Sequence, residues 1–209
     1  MPMEKRTFSS SWIDRLRLNS RPQLCTVLIV AVYLISFFLL DFIAKQFEGF
    51  PGVVTWYPPA GLTYALLLVF GAGFIPAVTI AVFFSSLFIY RMPQPPHLLF
   101  LWAIIISLIY SLATLFLHRR IRFDWQLRKL RDVAWFIVAV IFVSAVLAIL
   151  SVSSSATSSD MPNNEVLMKE IFHWWIGETV GVLSITPLLL IYVMPWLKRF
   201  VEGLSLIHI

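Results

Sequence analysis

The sequence predicts an all-α, polytopic transmembrane helical bundle of about six membrane segments, the second of them short or re-entrant. Three observations carry this. Hydrophobic residues make up 59% of the 209 residues and charged residues only 13%, too few charges to coat an ordinary soluble domain. Apolar runs of about 20 residues recur along the chain, each long enough to cross a ~30 Å hydrocarbon core at ~1.5 Å per residue. The basic residues gather in the stretches that flank those runs. The net charge of +5 is thus read as orientation in a bilayer rather than as affinity for nucleic acid. The single cysteine, Cys25, has no disulfide partner and offers no thiolate metal site.

Residues 1–23 form a basic arm, in which Ser11 followed by Asp14 resembles a capping box and Trp12, Ile13 and Leu16 give a short apolar face. The first span runs from Leu24 to Ala44, reads as an uncleaved signal anchor, and brings Asp41 close to the boundary. The second apolar segment opens at Trp56 in WYPPAG and breaks at the GAG of Gly71, Ala72 and Gly73. Pro59 suits a first helical turn, so the regular helix is only about 13 residues, or ~20 Å. The third segment is Phe74 to Tyr90. After the proline-broken link RMPQPPH come the fourth, Leu98 to Leu117, and the fifth, Val133 to Val152. A serine-rich polar loop leads into the sixth, from near Ile171 to Trp196. The division expected is an arm at 1–23, a transmembrane unit at 24–197 and a tail at 198–209 ending in GLSLIHI, read as the end of a truncated fragment.

Lys and Arg number 13 in the N-terminal arm, the loop after the fourth span and the C-terminal end, against 3 (Lys45, Arg91, Lys169) on the other side. This places both termini in the cytoplasm. On that orientation Asp41, the segment Trp56 to Gly61 and the segment His173 to Glu178 gather at the extracytoplasmic end.

Glu178 is the residue that most needs a partner, because a carboxylate at hydrocarbon depth costs about 2.5 to 3.5 kcal/mol on insertion scales for Asp. Helical spacing puts Trp174 and Glu178 on one face and His173, Gly177 and Gly181 on the adjoining one. The glycine pair allows a second helix to approach the backbone. The partners expected for Glu178 are the backbone N–H groups opening the second helix, or the His173 and Trp56 side chains, with Asp41 nearby. The candidate ligand site is therefore Glu178, Trp174, Trp175, His173, Trp56, Pro58, Gly61 and Asp41, with Gly177, Gly181 and Pro187 as helix-packing positions. The tryptophans also fit aromatic-belt anchors, and Asp41 also fits a capping or snorkelling group. An anionic ligand suits a helix N-terminus and a cation or amine suits the carboxylates; the sequence leaves both open. One histidine without a second at ligand spacing makes no metal site, and no HExxH, GxSxG or glycine-rich phosphate loop is present, so neither a cofactor nor an enzyme is expected.

The stretches WYPPAGLTYALLLVFGAGFIPAV and WWIGETVGVLSITPLLL resemble the type 1 membrane-associated sensor family, MASE, an integral membrane input module of bacterial histidine kinases and diguanylate cyclases. Trp56, Pro58 and Gly61 match its first motif, and Trp174, Trp175, Gly177, Glu178, Gly181 and Pro187 its second. The family pattern usually has Asp where this chain has Glu178, and tends to have a basic residue where it has Gly71, Ala72 and Gly73. The resemblance implies a sensory domain in the bacterial inner membrane. Its partners would be the lipid bilayer, an unidentified small signal ligand, a cytoplasmic output domain outside this fragment, and a second copy of the chain in a homodimer. The alternative from another class is a six-span solute-binding subunit of a transporter.

The charge asymmetry makes a direct prediction. A topology reporter fused at Arg122 should give a cytoplasmic signal and one fused at Asn163 an extracytoplasmic signal, and the reverse pattern would invert the orientation.

Overall fold

A computed structural model describes residues 22–50, 53–121, 129–156 and 164–193. Residues 1–21, 51–52, 122–128 of the basic loop after the fourth span, 157–163 of the serine-rich loop and 194–209, which include the tail expected at 198–209, lie outside the described residues, and the start of the serine-rich stretch belongs to the fifth helix, which runs past Val152 to Ala156. The described residues form six helical segments. They are α1 (Pro22–Lys45), α2 (Pro58–Phe70), α3 (Ile75–Phe84), α4 (Pro96–Ile121), α5 (Leu130–Ala156) and α6 (Asn164–Leu188). A short antiparallel ribbon, β1 (Glu48–Phe50) with β2 (Val53–Val54), joins α1 to α2. A 3-10 turn, Ala72–Phe74, leads into α3, and π-turns at Ser85–Ile89 and Leu189–Val193 extend α3 and α6. The chain is a helical membrane bundle, with five helical stretches long and apolar enough to cross a bilayer.

The sixth helical segment, α2, is the short one, and it occupies the middle. Its 13 residues span ~20 Å, and eleven of them are buried, whereas only 22 to 39% of each spanning stretch is buried. The cause lies in the sequence PPAGLTYALLLVF, which is apolar around its whole circumference. A helix with no polar face is stable only when every face is covered. Its ends are set locally. Pro58 and Pro59 occupy the first turn, where a missing N–H costs nothing. Gly71, at φ 84°, takes the left-handed conformation that stops the helix, and its N–H closes onto the Leu67 carbonyl.

Neighbours hold α2 on three sides. Tyr33 of α1 shares a 2.9 Å hydrogen bond with Thr63. The His118 ring of α4 lies 2.7 Å from the Leu68 carbonyl. On α6, Thr186 donates to the Gly61 carbonyl at 2.8 Å. The closest approach is also to α6, where a Cβ on Gly177 or Gly181 would lie closer than 3.0 Å to the backbone oxygen of Val54 or Tyr57, and a Cβ on Gly61 would lie 2.7 Å from the Gly181 carbonyl. Tyr57 N–H donates to the Gly177 carbonyl at 3.0 Å, so the chain meets α6 backbone to backbone before α2 begins. Gly61, Gly177 and Gly181 are the positions where the two backbones come closest.

Elsewhere the bundle turns aliphatic and aromatic side chains outward. Ile35 and Phe42 of α1, Leu112 of α4 and Phe142 of α5 are each more than 60% exposed, an arrangement suited to lipid rather than water. One boundary differs from expectation. The sixth helix begins at Asn164 rather than near Ile171, because Asn164 and Glu165 open it seven residues earlier. Glu178 is therefore ~21 Å along α6 from its first residue.

The close approach makes Gly181 intolerant of a methyl group while Gly73, with nothing within 4 Å of a built Cβ, has open space. Gly181→Ala should destabilise the detergent-solubilised protein by about 1 to 3 kcal/mol, as overpacking does. Gly73→Ala should leave the unfolding midpoint within a degree or so of the parent. Equal midpoints for the two variants would show that the helices do not meet at Gly181.

Candidate functional site

Where α2 begins, the bundle closes around a cavity of about 90 Å³. All six helices reach it: Phe37 from α1, Thr63 from α2, Ser85 from the end of α3, Tyr110 from α4, Leu147 from α5, and Trp174 with Glu178 from α6, while Tyr57 and Tyr90 enter from the adjoining turns.

Glu178 is 1% exposed. Tyr110 donates to its Oε1 at 2.9 Å, and Trp174, one helical turn back on α6, donates to its Oε2 at 2.9 Å. Each carboxylate oxygen thus has a donor, the condition for holding such a group away from water. Tyr110 is itself braced, its ring meeting that of Tyr64 edge-on at 5.2 Å.

Asp41 is fully buried a short way off. Ser85 donates to its Oδ2 and Tyr90 to its Oδ1, the latter at 3.0 Å, and the Tyr57 hydroxyl reaches the same carboxylate. The π-turn explains how Ser85 and Tyr90 come together. Its i to i+5 register, seen in the 3.0 Å bond from Tyr90 N–H to the Ser85 carbonyl, brings two residues five apart onto one face. Burial, with the Asp41 charge adding to it, holds the Tyr90 phenol above its ordinary range, so it stays a donor. Lys45 donates to the Ile89 carbonyl and stands 5.9 Å from the centre of the Tyr90 ring.

Of the residues singled out from the sequence, Glu178 and Trp174 line the cavity directly. Asp41 stands behind Tyr57, Ser85 and Tyr90, which do line it; it is a fully buried acceptor rather than a snorkelling or capping group at the boundary. Pro58 and Gly61 set the start and packing of α2. The other three point elsewhere. Trp175 donates to the Ile141 carbonyl of α5 at 3.0 Å. Trp56 packs edge-on against Phe47 and reaches Ser184 at 3.5 Å. The His173 Nδ1 lies 2.6 Å from the Lys169 carbonyl on its own helix. The partners of Glu178 are accordingly Tyr110 and Trp174, not His173, Trp56 or the opening N–H groups of α2.

Sequence reasoning missed Ser85, Tyr90 and Tyr110 and did not single out Tyr57. The signal available was a hydroxyl inside an apolar run, as at Tyr110, where a phenol needs an acceptor once buried. Among the described residues no group of three or more His, Cys, Asp or Glu side chains is placed to hold a metal ion.

Fold and site together define a multi-pass membrane protein with a cavity among its helices. The family model for MASE1 matches residues 25–205, and the chain belongs to that family, a membrane sensory domain of signalling proteins. No curated protein and no solved structure matches the chain.

The two bonds at Glu178 make a coupling prediction. Tyr110→Phe should cost about 1 to 3 kcal/mol, since a buried acceptor loses its donor. In a Glu178→Met background, where that acceptor is gone, the same substitution should cost much less. Thermal unfolding of the four proteins in detergent measures the cycle, and equal costs in both backgrounds would mean the bond is not formed.

Proposed function

We propose that this chain is the sensory input domain of a bacterial signal transduction protein, set in the inner membrane with both termini in the cytoplasm. A small polar signal enters the cavity from the extracytoplasmic side, and the bundle passes the change to a cytoplasmic kinase or cyclase module carried by a longer protein. Glu178 and Trp174 contact the signal, and Asp41 shapes the site through the tyrosines it holds. Trp56, Trp175, His173, Pro58 and Gly61 support the site from outside the cavity.

The observation that carries this reading is that every helix of the bundle contributes to one cavity. An occupant then touches all six segments at once. A ligand shifts an equilibrium between two bundle arrangements only by the difference in its affinity for them. A site shared by every helix is where such a difference arises most readily. Family membership supplies the direction of the reading, since the domain is an input module rather than a catalyst.

In a full-length protein carrying an output domain, Glu178→Gln keeps the shape and hydrogen-bonding capacity but removes the charge, while Glu178→Ala removes all three. Glu178→Gln should lock or silence the output while the protein still inserts and accumulates. Normal signalling by the Gln variant, beside an Ala variant that merely accumulates poorly, would make Glu178 structural and place sensing elsewhere.

A further inference from the structure

We infer that the cavity is built for a small alkylammonium ion. This rests on the sensory reading of the same site and names the chemical class of its signal.

The first argument is the direction of the hydrogen bonds around the cavity. The hydroxyls of Tyr57, Ser85 and Tyr90 are turned to Asp41, and the Tyr110 hydroxyl and Trp174 indole N–H to Glu178. Of the three other lining hydroxyls, Thr63, Ser86 and Ser151, the first two donate to carbonyls of their own helices, Pro59 and Val82. What these groups leave toward the cavity is acceptor lone pairs and aromatic faces. A ligand satisfied there must bring its own N–H donors or positive charge.

The second argument removes the anionic alternative. A helix N-terminus attracts anions through free N–H groups, but α2 opens with Pro58 and Pro59, which have none, and the N–H of Ala60 bonds to the Tyr57 carbonyl at 3.3 Å. No basic side chain lines the cavity among the described residues. The nearby Lys45 is directed to the Ile89 carbonyl and over the Tyr90 ring, which shows that ring already accepting one ammonium on a face.

The third is the wall itself. Tyr57, Tyr90, Tyr110 and Trp174 line the cavity together with the Glu178 carboxylate, and aromatic rings beside one acidic group are an arrangement that selects ammonium groups over neutral molecules of equal size. The cavity, about 90 Å³, has room for several waters or for a small organic group.

The test uses the chain in lipid nanodiscs at matched ionic strength, with methylammonium, acetate, methanol and sodium as probes and intrinsic tryptophan fluorescence with thermal unfolding as readouts. Methylammonium should bind saturably, in the millimolar range expected of so small a ligand, and raise the unfolding midpoint, while the other three do not. Glu178→Gln should weaken it by about tenfold or more, a charge-assisted hydrogen bond being lost. Stabilisation by acetate but not methylammonium would overturn the inference, as would equal effects of methylammonium and sodium, or no saturable response to methylammonium. The comparison among probes needs no variant, so poor folding of Glu178→Gln leaves it decisive. The two readings fail separately. An output that depends on Glu178 in the full-length protein, without methylammonium binding, would remove the ligand class and keep the sensor. Saturable methylammonium binding that leaves the full-length output unchanged would do the reverse.

Discussion

Three positions without a side chain hold this structure together. At Gly61, Gly177 and Gly181 the backbone of α6 meets α2 and the turn before it so closely that a Cβ at any of them would overlap a neighbouring atom. In a bilayer there is no hydrophobic gain from bringing two apolar helices together, so close packing and interhelical hydrogen bonds do that work. Here both are present. The glycines permit the approach, and the Tyr57 N–H and Thr186 hydroxyl bonds use it. With α2 fixed against α6, its remaining faces need cover, and α1 and α4 supply it through Thr63 and Leu68. The cavity follows from the same constraint, because α2 is too short to reach as far as its neighbours and leaves the space beyond its first turn to be lined by side chains.

Buried carboxylates are a heavy cost for a small bundle, and the two at the cavity, Glu178 and Asp41, are handled alike. Each accepts hydrogen bonds from neutral donors, Tyr110 and Trp174 for Glu178, and Ser85, Tyr90 and Tyr57 for Asp41, with the Lys45 charge acting on Asp41 as well. Neutral donors satisfy lone pairs without cancelling charge. A buried ion pair would have satisfied both, and left nothing for a third party to recognise. The tyrosines also present rings, so the groups that hold the carboxylates are the groups that shape the cavity.

The helices were legible because their causes are local. Apolar length, Pro59 near the start of α2 and the GAG at its end gave the short helix within a residue, and the spacing of Gly177 and Gly181 announced a close neighbour. The partners of Glu178 were not legible, since Tyr110 comes from a helix 68 residues away and nothing in its own apolar run marks which way it faces. The π-turn was hidden too. Read as an α-helix, Ser85 and Tyr90 fall on different faces, and only the wider register unites them at Asp41. Trp56 and Trp175 misled for the opposite reason: aromatic residues near a glycine-rich contact suggested pocket walls, yet their indoles brace Ser184 and Ile141 from outside. The early helix start at Asn164 escaped notice because polar residues there lowered the apolar signal without lowering helix propensity.

The distribution of bond types around the cavity also bears on how it could move. The contact of α2 with α6 is backbone on backbone, repeated at three glycines, and sliding it would overlap atoms that have nowhere to go. These two helices are therefore the most closely packed pair at the cavity. The other seams that meet the cavity are closed by side-chain hydrogen bonds, Tyr110 to Glu178 between α4 and α6, and Ser85 and Tyr90 to Asp41 between α3 and α1. Side-chain bonds exchange partners at modest cost, about 0.5 to 1.5 kcal/mol net for a typical one. A ligand that takes a lone pair of Glu178 competes directly with Tyr110, and so acts on the seam between α4 and that pair. Packed interfaces change between discrete arrangements rather than by graded deformation. The smallest rearrangement consistent with these contacts is then a shift of α4 against α2 and α6, with the Tyr64 and Tyr110 rings as the contact that must slip.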